Sequence, residues 1–274
     1  MRIPKALVAL ALLLAPATAT GAELRFLRDG EEVSRLDLEA LKRAGRVETV
    51  SVEDPYYEAK KSYRAVALKD VLRAGFGVAV SKLEGEEILF QALDGYLKPA
   101  SPARLSEDGG YVAFADAEHA RGTDPGWKPI DRRQVDPGPF YVVWAGKGQN
   151  DTHRYPWPYQ LAAIEAVSFE TKYPRTLPRT AGKGSAAWRG FAIFRDECFS
   201  CHSINGQGGK VGPELNVPRS IVEYRPVEQL KEYIRDPGSF RHTTMPSHRH
   251  LSGRQLDELV AYFDTMKTLK QDEP

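Results

Sequence analysis

The chain has 274 residues, 42% of them hydrophobic and 27% charged, with a formal net charge of +1 at pH 7. These proportions are those of a globular protein of one large or two medium domains. So small a net charge excludes a strong nucleic-acid or membrane-surface field, and nineteen prolines with twenty-three glycines point to many loops and short strands.

Residues 1–22 read as an export signal. Arg2 and Lys5 give a positive start, "ALVALALLLA" an apolar core, and "PATATGA" a small-residue cleavage region, with cutting after Ala19 or Ala22. The apolar run is too short to span a bilayer. There is no nearby cysteine for a lipid and no twin-arginine pair, so the chain is expected to be exported unfolded. No later segment is apolar enough to cross a membrane. The expected location is the periplasm, with no stable membrane insertion once the signal is removed.

Residues 23–171 have the texture of an α+β domain with a mostly β core. "DLEALKRAG" predicts a short helix ended by Gly45, and "VETVSVEDP" alternates like a strand. "SYRAVALKDVLRAG" predicts a strand, then a helix from about Leu68 stopped by Gly75. Further strands are expected in "EEILFQALDGY", "GYVAFADA", "PFYVVWAG" and "QLAAIEAVSFE", with turns at Asp94-Gly95 and Gly109-Gly110. His119 and His153 stand without a ligand set in the sequence and read as surface or loop residues. "RYPWPYQ", with Tyr155, Trp157 and Tyr159, reads as a turn whose rings cover the core, or as an exposed docking patch.

The order of "YRAVALKDVL", "ALDGY", "DPGPFYVVW" and "WPYQLAAIEAV" resembles the molybdopterin-binding fold of the sulfite-oxidase family. That resemblance implies a cysteine ligand to molybdenum, and this part of the chain has none. The expectation is therefore the fold without molybdenum cofactor, acting as a docking module, a ligand-binding remnant or a clamp for another subunit. Residues 172–184 carry prolines, glycines and basic residues and read as an inter-domain linker that allows more than one relative pose.

"RDECFSCHSINGQ", residues 195–207, holds both cysteines of the chain. Four chemistries use such a pair: a structural disulfide, a thioredoxin-like redox pair, a zinc site completed by other ligands, or covalent attachment of c-type haem, whose signature is C-x-x-C-H. In the last case Cys198 and Cys201 form thioethers to the two vinyl groups, and His202 is the proximal iron ligand. Four neighbouring features fit that case. "GFAIFRDE" is helical, with Gly190, Phe194 and Cys198 on one face. "VGPELN" follows, and the Pro213 carbonyl is suited to accept the second N–H of His202. "TTMP" offers Met245 as distal ligand. "LSGRQLDELVAYFDTMKTL" is an amphipathic helix capped by Ser252. Met245 competes for the sixth position with His242, His248 and His250. Met266 belongs to the helical stripe. Arg241, His242, His248, Arg249 and His250 read as a docking surface for an acidic redox partner or as an ordinary solvated loop.

Gly190, Phe194, "CFSCH", Gly212-Pro213, Leu215, Met245-Pro246 and "LVAYF" together resemble a class I cytochrome c domain, over residues 185–274. The resemblance implies an all-α unit in which the first and last helices cross, with Tyr262 or Phe263 packed near Gly190. It implies one covalent haem c, six-coordinate iron, electron transfer and no catalytic residue. The expected partners are redox proteins: a periplasmic dehydrogenase, an oxidase or another cytochrome. Two alternatives stay open, a haem subunit of an oxidoreductase whose N-terminal domain binds substrate or cofactor, and a haem-based ligand sensor.

Overall fold

Two strands absent from the sequence reading come first. β1 (Glu23–Arg28) and β2 (Glu31–Asp37) form an antiparallel hairpin, turned by Asp29 and Gly30, both at positive φ. A computed structural model describes residues 21–83, 86–130 and 134–271, so the export signal read over 1–22 lies almost wholly outside the described residues. Helix α1 (Leu38–Ala44) starts where the Asp37 side chain accepts from the Ala40 N–H at 2.6 Å and ends at Gly45. Strands β3 (Val47–Asp54) and β4 (Ala59–Ala67) pair next.

Helix α2 (Leu68–Phe76) runs past Gly75, where a stop was expected, and ends at Gly77 with φ +71°. Gly77 supplies the left-handed cap. Gly75 has another task, because a Cβ there would lie 2.2 Å from the Phe26 ring. The unit continues with β5 (Glu87–Ala92), β6 (Leu97–Ala100), α3 (Pro102–Leu105), β7 (Gly110–Asp116), β8 (Tyr141–Trp144), β9 (Leu161–Val167) and α4 (Phe169–Lys172).

The strands make two sheets, in the orders β2-β1-β9-β5-β6 and β3-β4-β7-β8. All pairs are antiparallel except β1 with β9. The N-terminal region is thus rich in strands and sheets. One core joins inner residues of both sheets, among them Phe26, Phe90, Tyr141 and Trp144. The five-stranded sheet also buries its other face. Ile88 and Phe90 enter the first core, while Leu89 between them joins a second cluster with Val167, Phe169, Phe191 and Phe199. Successive strand residues point to opposite faces, so one short strand serves two cores.

The C-terminal unit packs on that second face. It holds α5 (Ala186–Ile193), one π-helical turn (Phe194–Cys198), β10 (Ser203–Ile204), β11 (Gln207–Gly208), α6 (Ile221–Tyr224), α7 (Val227–Arg235) and α8 (Gly253–Met266). It is helical but not all-α as expected. Asn205 and Gly206, with φ of +54° and +75°, make a two-residue turn between β10 and β11, the geometry for which Asn-Gly is suited.

Helices α5 and α8 cross at Gly190. A Cβ there would stand 1.9 Å from the Glu258 carbonyl oxygen and 2.8 Å from the Tyr262 Cβ. Of the two aromatics considered for this crossing, Tyr262 is the one against the glycine, and its ring lies 5.3 Å from that of Phe194. The stretch 172–184 is packed rather than free. Tyr173 and Leu177 belong to the second core, the Tyr262 hydroxyl donates to the Thr176 carbonyl at 2.7 Å, and the Trp188 indole N–H donates to Ala181. Its apolar side chains enter the core that both units share.

Candidate haem site

The π-helical turn brings both cysteines to one edge. Phe199 N–H bonds back five residues to Phe194 at 2.8 Å, and His202 N–H reaches Cys198 at 2.9 Å. Such turns widen a helix locally and recur at functional sites. No disulfide joins Cys198 and Cys201, so the disulfide reading does not describe this structure. Burial pushes the Cys198 thiol well above its ordinary range, with the Glu197 charge adding to it.

His202 is oriented from two sides. Its Nδ1–H donates to the Pro213 carbonyl at 2.8 Å, which leaves the Nε2 lone pair for a ligand. A Cβ on Gly212 would meet the imidazole Cε1 at 2.5 Å, so glycine lets the loop pass across the ring. Burial holds the imidazole below its ordinary pKa, against the raising effect of the Pro213 bond. The loop itself is clamped by Glu214, whose Oε1 accepts the N–H groups of Asn205, Asn216 and Val217 at 2.9, 2.8 and 3.2 Å. Asn216 in turn donates to Asn205 and to the Met266 carbonyl, tying the loop to α8.

Cys198, Cys201, His202, Pro213 and Met245 line one crevice, with about 1140 Å³ of empty space including its open mouth. Leu215, Ile221, Leu230, Ile234 and Phe263 give it apolar walls, and Arg225, Tyr233 and Arg241 stand among its polar residues. Met245 is half-buried against the second core, with its N–H bonded to Thr243 Oγ1 at 3.1 Å. Among the competing histidines, His248 also lines the crevice, while His242 and His250 are not among its lining residues. His248 and His250 both contact Glu197.

The loop cations have local partners. Arg249 pairs with Asp236 at 2.7 Å, and both Arg241 and Arg225 lie over the Tyr233 ring. Tyr155 and Trp157 are buried, so "RYPWPYQ" covers the core as the first of its two readings has it. His119 bonds to Asp116 at 3.0 Å. His153 sits in an exposed turn, as expected, but it is not without partners: its Nδ1 lies 3.1 Å from Glu197 Oε2, across the boundary between the two units.

A second cavity lies between the units. Tyr56, Tyr96, Lys98, Trp157 and Tyr159 form its N-terminal wall, and it shares Glu197, Cys201, Val211, Thr244, Pro246 and His248 with the crevice. Glu197, Glu214, Tyr56 and Tyr96 carried no assigned role in the sequence, whereas Trp157 and Tyr159 of this wall were singled out there in "RYPWPYQ". Only Glu214, beside the Gly212-Pro213 pair, left a local signal.

The Cytochrome c family model matches residues 187–267. A cytochrome c domain therefore occupies the C-terminal part of this chain. No curated protein matches the chain. The family implies covalently bound haem c and haem-based electron transfer. Among the described residues, no helix is long and apolar enough to cross a membrane.

Proposed function

We propose that this chain is an exported, periplasmic c-type cytochrome that carries single electrons between a dehydrogenase or quinol-linked donor and an acceptor protein. The observation that carries the reading is the meeting of Cys198, Cys201, His202 and Met245 on one apolar crevice. These residues fit a covalent haem. Cys198 and Cys201, one turn apart, would hold it by thioethers. His202, with Nδ1 bonded to Pro213, would present Nε2 as proximal ligand, and Met245 would be the distal ligand. When bound, the haem supplies reversible one-electron redox chemistry. The residues around it exclude water with Leu215, Ile221, Leu230, Ile234 and Phe263, and fix the imidazole through Pro213 and Glu214. Arg225 and Arg241 offer cations for acidic groups at the rim. Were His202 and Met245 both to hold the iron, no position would remain there for a substrate, and we assign no catalytic residue.

The test is a reductive titration under carbon monoxide. A carrier with Met245 bound should take up one electron per chain and bind carbon monoxide slowly or not at all. Rapid carbon monoxide binding to the ferrous protein would identify a ligand sensor instead. A further reading, an oxidoreductase subunit, is favoured by the cavity between the units, where an aromatic wall faces Cys201. In our reading the N-terminal unit keeps the sulfite-oxidase-like fold without its metal, since both cysteines serve haem. Stoichiometric molybdenum in the purified protein would favour the oxidoreductase reading.

A further inference from the structure

Three histidines surround one carboxylate beside the crevice. Glu197 Oε2 lies 3.1 Å from His153 Nδ1 and 3.3 Å from His248 Nδ1, and Glu197 Oε1 lies 3.2 Å from His250 Nε2. The ligand atoms of His153, Glu197 and His250 all fall within 4.8 Å of one another. The His153 and His250 rings stand 4.2 Å apart at their centroids. We propose that His153, Glu197 and His250 bind a divalent transition-metal ion that clamps the N-terminal unit to the cytochrome domain, with His248 hydrogen-bonding the Glu197 carboxylate.

The contacts serve as hydrogen bonds in the metal-free protein, and their lengths also leave room for an ion. Bonds of about 2.0–2.1 Å in a tetrahedral zinc site separate the ligand atoms by roughly 3.4 Å. All three contacts are longer than the about 2.7–2.9 Å of charge-assisted hydrogen bonds. Two imidazoles and one carboxylate suit zinc or copper, whereas calcium and magnesium prefer oxygen alone. The frame is partly fixed. The His248 side chain is 4% exposed and that of Glu197 17%, with Glu197 set in the π-helical turn. The His153 N–H is held by Asp151 Oδ1 at 3.0 Å. His153 and His250, at 44% and 40% side-chain exposure, leave one side open for entry. The proposal does not depend on haem being present.

The test uses untagged, full-length protein as purified, stripped with chelator and titrated with zinc alone. One equivalent should bind. His153→Ala and His250→Ala should each weaken binding at least tenfold, while His242→Ala, away from the cluster, should not change it. Zinc-edge absorption should give nitrogen and oxygen neighbours near 2.0–2.1 Å with scattering from two or more imidazoles. Zinc should also slow hydrogen exchange over residues 151–154. Failure to bind a stoichiometric zinc ion, or binding unchanged in the His153→Ala/His250→Ala double variant, would overturn the site.

Discussion

The Leu97 backbone N–H donates to the Ser200 carbonyl at 3.0 Å, so the edge of the larger sheet is fastened between the two cysteines. Two residues back, the Gly95 carbonyl accepts from Lys210 at 3.2 Å, and nearby Arg195 pairs with Glu87 at 3.1 Å. Together with Leu89 and Val167 in the second core, these contacts make the N-terminal unit part of the wall around the cysteines. The Leu97 amide should therefore be protected from hydrogen exchange as strongly as the α5 amides. Exchange at the rate of an open loop would show that the units part in solution.

The α5–α8 crossing gives a paired test of opposite sign. Gly190→Ala places a methyl 1.9 Å from the Glu258 carbonyl, and relieving that overlap should cost about 1–3 kcal/mol in denaturant unfolding. Gly253→Ala, at the first helical position of α8 with nothing within 4 Å, should stabilise by about 0.4–1 kcal/mol. A neutral Gly190→Ala would contradict the close crossing.

Acid should weaken the chelated, metal-free protein through Glu197. Burial alone would raise this carboxyl, but the hydrogen bond from His248 and the charges of His153 and His250 outweigh it and hold it down to about 2. The unfolded carboxyl takes its proton first, near its ordinary 4.5, so the stabilisation is full above that pH and is lost as pH falls toward 2. The loss should be on the order of 2–3 kcal/mol. Glu197→Gln should remove this part of the pH dependence, and stability curves for both proteins between pH 6 and 2 would check it.

Much of the cytochrome part was legible because its chemistry is local. The C-x-x-C-H run, Pro213 eleven residues on, and Met245 before proline are each readable in a short window, and the structure brings them to one crevice. What escaped was non-local or weakly patterned. β2 is largely exposed and shows no apolar alternation. Gly75 looked like a helix stop, because its close approach to Phe26, nearly fifty residues earlier, has no local trace. The packing of 172–184 depends on a core assembled from both units. His153 meets Glu197 across 44 residues, and no spacing rule reaches that far.

Met245 carries a spectroscopic prediction. Met/His coordination raises the potential relative to histidine alternatives, so Met245→Ala should lower it and abolish the weak far-red band of ferric Met-ligated haem. Retention of that band in the variant would reassign the distal ligand.

The most direct measurement is the intact mass of the acid-denatured protein from its host, with its visible spectrum. Our account predicts one haem per chain, still attached after denaturation and missing from the Cys198→Ala/Cys201→Ala variant. A colourless chain at the mass of polypeptide alone would contradict it.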